Sequence, residues 1–257
     1  MPHPSRLPWS SDLFTEPGQL FYERARQILA DISEAEALVG EHVTVPTGLL
    51  RISAPLSYGI GPLARVLPGF RAKHPGLRLD IDLTDMLVDL AHSGVDVALR
   101  IARAPSASLI AREIAPVRMI VCASPDYLAR RGTPQQPSDL GGHETFSYSY
   151  LSLGDSWMFS DVEGRETQVR IHPVVHATNG DLLRALALVG GGVIVQPDFI
   201  VGDDIASGRL VPLLESWHMS AFNLYAVYLS RRHLSPKVRV FIDYLVETLG
   251  RPTAQVG

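Results

Sequence analysis

The sequence predicts an α/β fold in which short buried strands run directly into helices. Three stretches carry this expectation. In LLRISAPLSYGI, residues 49–60, an apolar run reaches Ser57 and an amphipathic helix pattern follows at once. VCASPDYLARR repeats the device at Ser124, and HATNGDLLRALALV repeats it at Asn179. Short strands alternating with helices imply a parallel sheet with crossover helices. Ser and Asn at such junctions cap a helix and leave backbone N–H groups free. Several junctions around one crevice suit a small polar or anionic ligand.

Residues 1–14 begin with MPHPSRLPWSSD, are rich in Pro and Ser, and have no period, so disorder is expected there. A long helix over 15–45 follows, with Thr15 as N-cap and Pro17 in its first turn. Its apolar residues fall at Phe21, Ala25, Ile28, Ile32, Ala35 and Val39. Those steps alternate four and three, which is heptad spacing and favours pairing with a second helix. Val45-Pro46-Thr47-Gly48 breaks the helix as a linker.

Beyond it the pattern reads strand 49–54, helix 58–74, strand 77–83, helix 84–92 and strand 95–101. One or two strands cover 108–121, then a helix 125–131, a Pro-rich turn 133–138, and strands near 145–150, 156–160 and 168–177. A helix 179–190, a strand 193–196, a short helix opened by Pro197, a strand 222–229 and an amphipathic helix 236–249 complete the chain. If the last strand and helix return to the first α/β unit, the chain crosses between units twice, near 122–124 and 224–227. Two crossings make a hinged, two-lobed clamp: lobe I 49–122 plus 226–250, lobe II 123–225.

Composition narrows the function. The 257 residues carry a net charge of -4, which is unlike a module with a concentrated basic face for nucleic acid. A single cysteine excludes an internal disulfide and fits a reducing compartment. No apolar signal core opens the chain, and no apolar run is long enough to span a bilayer, so a cytoplasmic protein without membrane contact is expected. No nucleophile, acid–base pair or metal-ligand spacing stands out, so neither catalysis nor a metal or cofactor is expected.

Several segments in one order resemble the LysR-type transcriptional regulators. LFTEPGQLFYERARQILADISEAEALV resembles the linker helix of that family, and LRISAPLSYGIGPLARVLPGFRAKHPGLRLDI resembles the opening of its effector-binding domain. LVDLAHSGVDVALRI, CASPDYLARRGTPQQPSDL, NGDLLRALALVGGGVIVQPDFIVGDDIASGRLVPLL and LYAVYLSRRHLSPKVRVFIDYLVE follow in the expected sequence. The resemblance implies a two-lobed, periplasmic-binding-protein-like effector domain with Rossmann-like subdomains, preceded by a dimerisation helix. It also implies an effector between the lobes and assembly as a homodimer or homotetramer. The family carries a winged helix-turn-helix before the linker helix. MPHPSRLPWSSDLF is too short and too Pro-rich to be one. The start is late, the gene is truncated or the chain has been trimmed, and promoter DNA is expected to be reached only through a domain absent here. Two rivals share the scaffold: a transporter's solute-binding protein and a small-molecule enzyme.

Candidate effector-binding residues sit at the strand-to-helix junctions: Ser57 and Tyr58, Ser124, and Asn179. Helix capping explains Ser57, Ser124 and Asn179 equally well. Arg100 ends the strand VDVALRI and its fork suits a carboxylate, whereas Arg103 reads as a solvated strand end. Phe146 and Tyr148 could form an aromatic wall or simply core, and Pro197 shapes a turn. Cys122 follows Met119-Ile120-Val121 with no nearby His, so it reads as a small buried hydrophobe and not a nucleophile.

Overall fold

In a computed structural model, described residues are 15, 17, 18, 21 and 25, then 46–86, 89–90, 93–104, 109–150, 155–219, 221–229 and 234–250. By internal contacts the chain divides into Met1–Val45 and Pro46–Gly257. In the first unit Pro17, Gly18, Phe21 and Ala25 are helical, and Phe21 is exposed. Ile28, Ile32, Ala35 and Val39 of the expected seam lie outside the described residues.

The second unit holds two five-stranded sheets and a three-stranded one. Strands β1 (Gly48–Ala54), β2 (Leu77–Leu83), β3 (Val97–Ala102), β4 (Ile110–Val117) and β13 (Phe222–Tyr228) form the first, in the order β2-β1-β3-β13-β4. Strands β5 (Met119–Ala123), β6 (Thr145–Tyr148), β9 (Pro173–Ala177), β10 (Val193–Pro197) and β11 (Val211–Leu213) form the second, in the order β11-β5-β10-β6-β9. The small sheet joins β7 (Ser156–Ser160), β8 (Glu166–Arg170) and β12 (His218–Met219).

Neither large sheet is purely parallel. β1 runs parallel to β2 and β3, but β13 is antiparallel to β3 and β4. In the second sheet β10 is parallel to β6 and antiparallel to β5. The antiparallel strands are those next to the two crossings, so they enter their sheets from the other lobe. The crossings lie earlier than the sequence suggested. β5 belongs wholly to the second sheet, so the first switch falls at Arg118 and not at 122–124. All of β13 belongs to the first sheet, so the return falls between Met219 and Phe222 and not at 224–227. The expected strand 168–177 is two strands, divided at Ile171 and His172 before Pro173. Within the expected helix 84–92, residues 84–86 and 89–90 are not helical, and the rest is outside the described residues.

The helices follow their signals. The helical run α1, residues 56–73, contains a π turn at Gly59–Leu63 with Pro62 inside it. Proline has no N–H to return to the preceding turn, so the wider turn loses no bond at Pro62. α2 (Pro125–Arg131) and α3 (Gly180–Leu188) start at capping residues Ser124 and Asn179. α4 (Asp198–Ala206) follows Pro197, and α5 (Pro236–Leu249) buries Val238, Phe241, Ile242 and Leu245. Phe70 of α1 meets Phe241 edge to face at 5.2 Å, which packs α5 back onto the first lobe. Lys237 ties the same helix to β1 by donating to the Leu49 carbonyl and to Asp96, both at 2.7 Å. Among the described residues no helix is long and apolar enough to cross a membrane.

Candidate functional site

The carboxyl ends of strands from both lobes converge on a cavity of about 280 Å³. That lies at the small end of the range that holds small ligands. The first lobe contributes Ser57, Tyr58, Thr84, Asp85, Arg100 and Ala102, and the second contributes Tyr148, Tyr150, Gly180, Gln196, Pro197 and Phe199. Met119 and Phe222 line it from the strands just beyond the crossings.

At the entry to α1 the chain departs from the expected cap. Pro55, not Ser57, precedes the first helical residue, and it offers no side-chain acceptor. Asp85 supplies the acceptor instead: its Oδ1 takes the Leu56 N–H at 3.2 Å. Ser57 stands one position inside the helix and donates to Asp181 Oδ2 at 2.6 Å. Asp181 lies in the first turn of α3, so this bond joins the two lobes. The Tyr148 phenol of the second lobe and the Asp85 carboxylate of the first face the same cavity and interact electrostatically. Tyr58 and Phe199 meet edge to face across the same cleft, with ring centroids 5.3 Å apart.

Arg100 holds the end of β3. Its guanidinium donates to the Leu99 carbonyl at 2.7 Å, Ser53 Oγ at 2.9 Å and the Met86 carbonyl at 3.3 Å. Desolvation lowers its pKa, while Asp85 and Asp82 oppose that shift. Desolvation also raises the Asp85 carboxyl, against the Leu56 N–H, the nearby Tyr148 hydroxyl and the charge of Arg100, while Asp181 adds to the rise. Burial pushes the phenols of Tyr58 and Tyr148 above the ordinary tyrosine value. For both Arg100 and Asp85 the loss of solvent thus outweighs the attraction of the opposite charge.

Five of the expected residues, Ser57, Tyr58, Arg100, Tyr148 and Pro197, line this cavity. The other three do not. Ser124 is buried and caps α2, accepting from the Tyr127 N–H at 3.4 Å. Asn179 caps α3, accepting from the Leu182 N–H at 2.9 Å, and places its neighbour Gly180 in the wall. Phe146 packs in the core of the second lobe with Leu183, Ile194 and Val201. Sequence reading passed over Asp85, Asp181, Gln196 and Phe199. Gln196 carried a legible signal, as one polar residue inside the buried run VIVQP. The two aspartates carried none, because their partners are 29 and 124 residues away.

Cys122 is fully buried, and burial together with the charge of Asp204 pushes its thiol up to about 12. Close to neutral pH that leaves about a thousandfold less thiolate than in an ordinary cysteine. In the native protein a thiol reagent such as dithionitrobenzoate is expected not to label Cys122 within hours, and to label it fully in denaturant. Rapid native labelling would contradict the burial.

The model of the LysR substrate binding domain matches residues 44–250. The regulator CrgA of Neisseria meningitidis serogroup C is 34% identical over 237 residues, covering 92% of this chain and 79% of that protein. The regulator DmlR of Escherichia coli is 32% identical over 232 residues, covering 90% and 75%. Among solved structures, CrgA of N. meningitidis aligns with a TM-score of 0.69 at 32% identity, covering 95% of this chain and 83% of that one. The Vibrio cholerae virulence activator AphB aligns with a TM-score of 0.68 at 26% identity, covering 91% and 79%.

Proposed function

This chain belongs to the LysR-type transcriptional regulators, and we propose that the cavity between its lobes is where it senses its effector. The observation that carries this reading is the set of cross-lobe contacts around the cavity: Ser57 to Asp181, Tyr148 to Asp85, and Tyr58 against Phe199. A guest among these groups changes what each lobe touches, and so changes the relative free energy of lobe arrangements. That difference is what a sensor needs, since equal affinity for two arrangements would switch nothing.

The effector is a small molecule, polar or anionic, with an apolar portion against Met119, Phe199 and Phe222. Arg100 is the group suited to an anion, and it shares the cleft with Asp85. An anionic effector therefore binds more tightly as pH falls and Asp85 takes up a proton, whereas a neutral effector gains less. The chain acts as a cytoplasmic sensor without catalytic activity. Copies pair as a homodimer or homotetramer through the heptad seam of residues 15–45. Promoter DNA is engaged through a helix-turn-helix of the kind for which its relatives are named.

A thermal-shift screen of the chain against small metabolites, with product analysis of each hit, tests the reading. A hit should raise the melting temperature, increasingly with concentration, with no turnover. Ala102→Phe fills the cavity without touching its charges and should abolish that shift while the protein remains folded. A hit that is chemically converted would favour an enzyme. A shift that survives in Ala102→Phe would place the ligand elsewhere.

A further inference from the structure

Three buried side-chain atoms among the described residues have no hydrogen-bond partner: Thr145 Oγ1, Gln196 Nε2 and Ser235 Oγ. Of these three residues only Gln196 lines the cavity. Its side chain is enclosed. The backbone pairs with Ile120 in the middle of the second sheet, and the residue is 2% exposed. The amide lies over Gly180, where a Cβ would come within 2.7 Å of Gln196 Oε1 and 2.8 Å of Ile200 Cδ1. Gly180 opens the nine-residue helix α3, whose first N–H groups have no acceptor within the helix. Asn179 satisfies only the Leu182 N–H.

The charged groups of the cavity and Ser57 are engaged. Arg100 is bonded to Ser53 and two carbonyls, Asp85 to Leu56, and Ser57 to Asp181. An amide donor shut away from water and left unpaired is destabilising, and native proteins keep few such groups. Around it the wall is apolar: Met119, Val195, Phe199, Ile200 and Phe222.

Resting on the reading of the cavity as the effector site, we propose that Gln196 is its specificity-determining residue, binding an oxygen acceptor on a small and otherwise apolar effector. A carbonyl and a carboxylate both offer that acceptor. The enclosed amide turns toward the ligand and completes with it a hydrogen bond that the protein leaves open, beside the N-terminus of α3.

The test follows the side-chain amide of Gln196 in the 15N-labelled chain by NMR, its signal identified by loss in Gln196→Leu. The probes are benzamide, benzoate and toluene, which share a ring and differ in the acceptor. Benzamide or benzoate should move the Gln196 amide pair together with the backbone amides of Gly180 and Phe199. Its affinity should fall about tenfold in Gln196→Leu, while toluene should bind both proteins alike. Response to benzamide without benzoate assigns a neutral carbonyl, and the reverse assigns a carboxylate. The variant itself should melt no lower than the native protein. A lower melting point would mean that Gln196 serves the fold, and overturns the proposal. A benzamide or benzoate that moves Gly180 and Phe199 but leaves the Gln196 pair still, or binds the variant equally, also overturns it and spares the cavity. Absence of any change at Gly180 and Phe199 with all three probes counts against the cavity as a ligand site, and against this proposal with it.

Discussion

Asp204→Ala is expected to destabilise the protein by about 3 kcal/mol, because it removes a buried anion that two arginines share. Asp204 of α4 is fully buried. Arg184 of α3 donates to both of its oxygens, and Arg209 reaches Oδ1 at 2.5 Å. Its carbonyl also accepts the N–H groups of Arg209 at 2.8 Å and Leu210 at 3.1 Å, which closes the turn after α4. The alanine leaves the backbone bonds in place but strands a partly buried guanidinium at Arg184. Arg209 is more than half exposed and can rehydrate, so the loss falls at the low end of the range for a broken buried pair. At about 2–4 °C per kcal/mol for a domain of this size, the melting temperature should fall by about 6–12 °C. Asp204→Asn keeps the shape and one acceptor, and should lose less. Thermal denaturation of the three proteins side by side decides the matter. A change within experimental error for the alanine variant would mean that the arginines find equivalent partners.

Arg100→Met should cost about 2–4 kcal/mol at neutral pH, and its deficit should shrink in acid. The methionine keeps much of the aliphatic bulk but drops the donors to Ser53, Leu99 and Met86. It also removes the nearby cation that opposes the rise of the Asp85 carboxyl. That carboxyl is already raised by burial, and without Arg100 it rises further. A carboxyl raised in the folded state binds its proton more tightly there than in the unfolded chain, where its value is ~3.9. The folded form therefore loses stability as pH climbs from the unfolded value through the folded one. Below ~4 both states are protonated and that part of the penalty is absent. Melting curves of the variant and the native protein between acid and neutral pH should diverge as pH rises, reaching a difference of about 5–15 °C. Parallel curves would mean that Arg100 and Asp85 are not coupled.

The two variants separate scaffold from sensor. Asp204 lies outside the cavity, so its loss should weaken the fold and leave a surviving ligand response intact. Arg100 lines the cavity, so its loss should alter the binding of an anionic effector beyond what stability accounts for.

The succession of strands and helices in the second unit was legible because its signals are local. Apolar runs such as LLRISA, caps at Ser124 and Asn179, and the stop at Gly190 each act within a turn or two. The same locality explains the errors. Ser57 resembles the other two caps in sequence, yet Pro55 occupies the cap position and Asp85 provides the acceptor from a separate loop. Phe146 alternates like a wall residue, and only the packing of α3 against its sheet shows that it faces the core.

The amino-acid order alone determined the α/β class, the nearly complete list of elements, and the family, because periodicity, caps and motif order are properties of neighbouring residues. Tertiary structure alone decided that Ser57 meets Asp181, that Asp85 meets Tyr148, and that Gln196 is left without a partner. Those facts depend on side chains brought together from separate strand ends of two lobes, and no local pattern encodes a distance across a cleft.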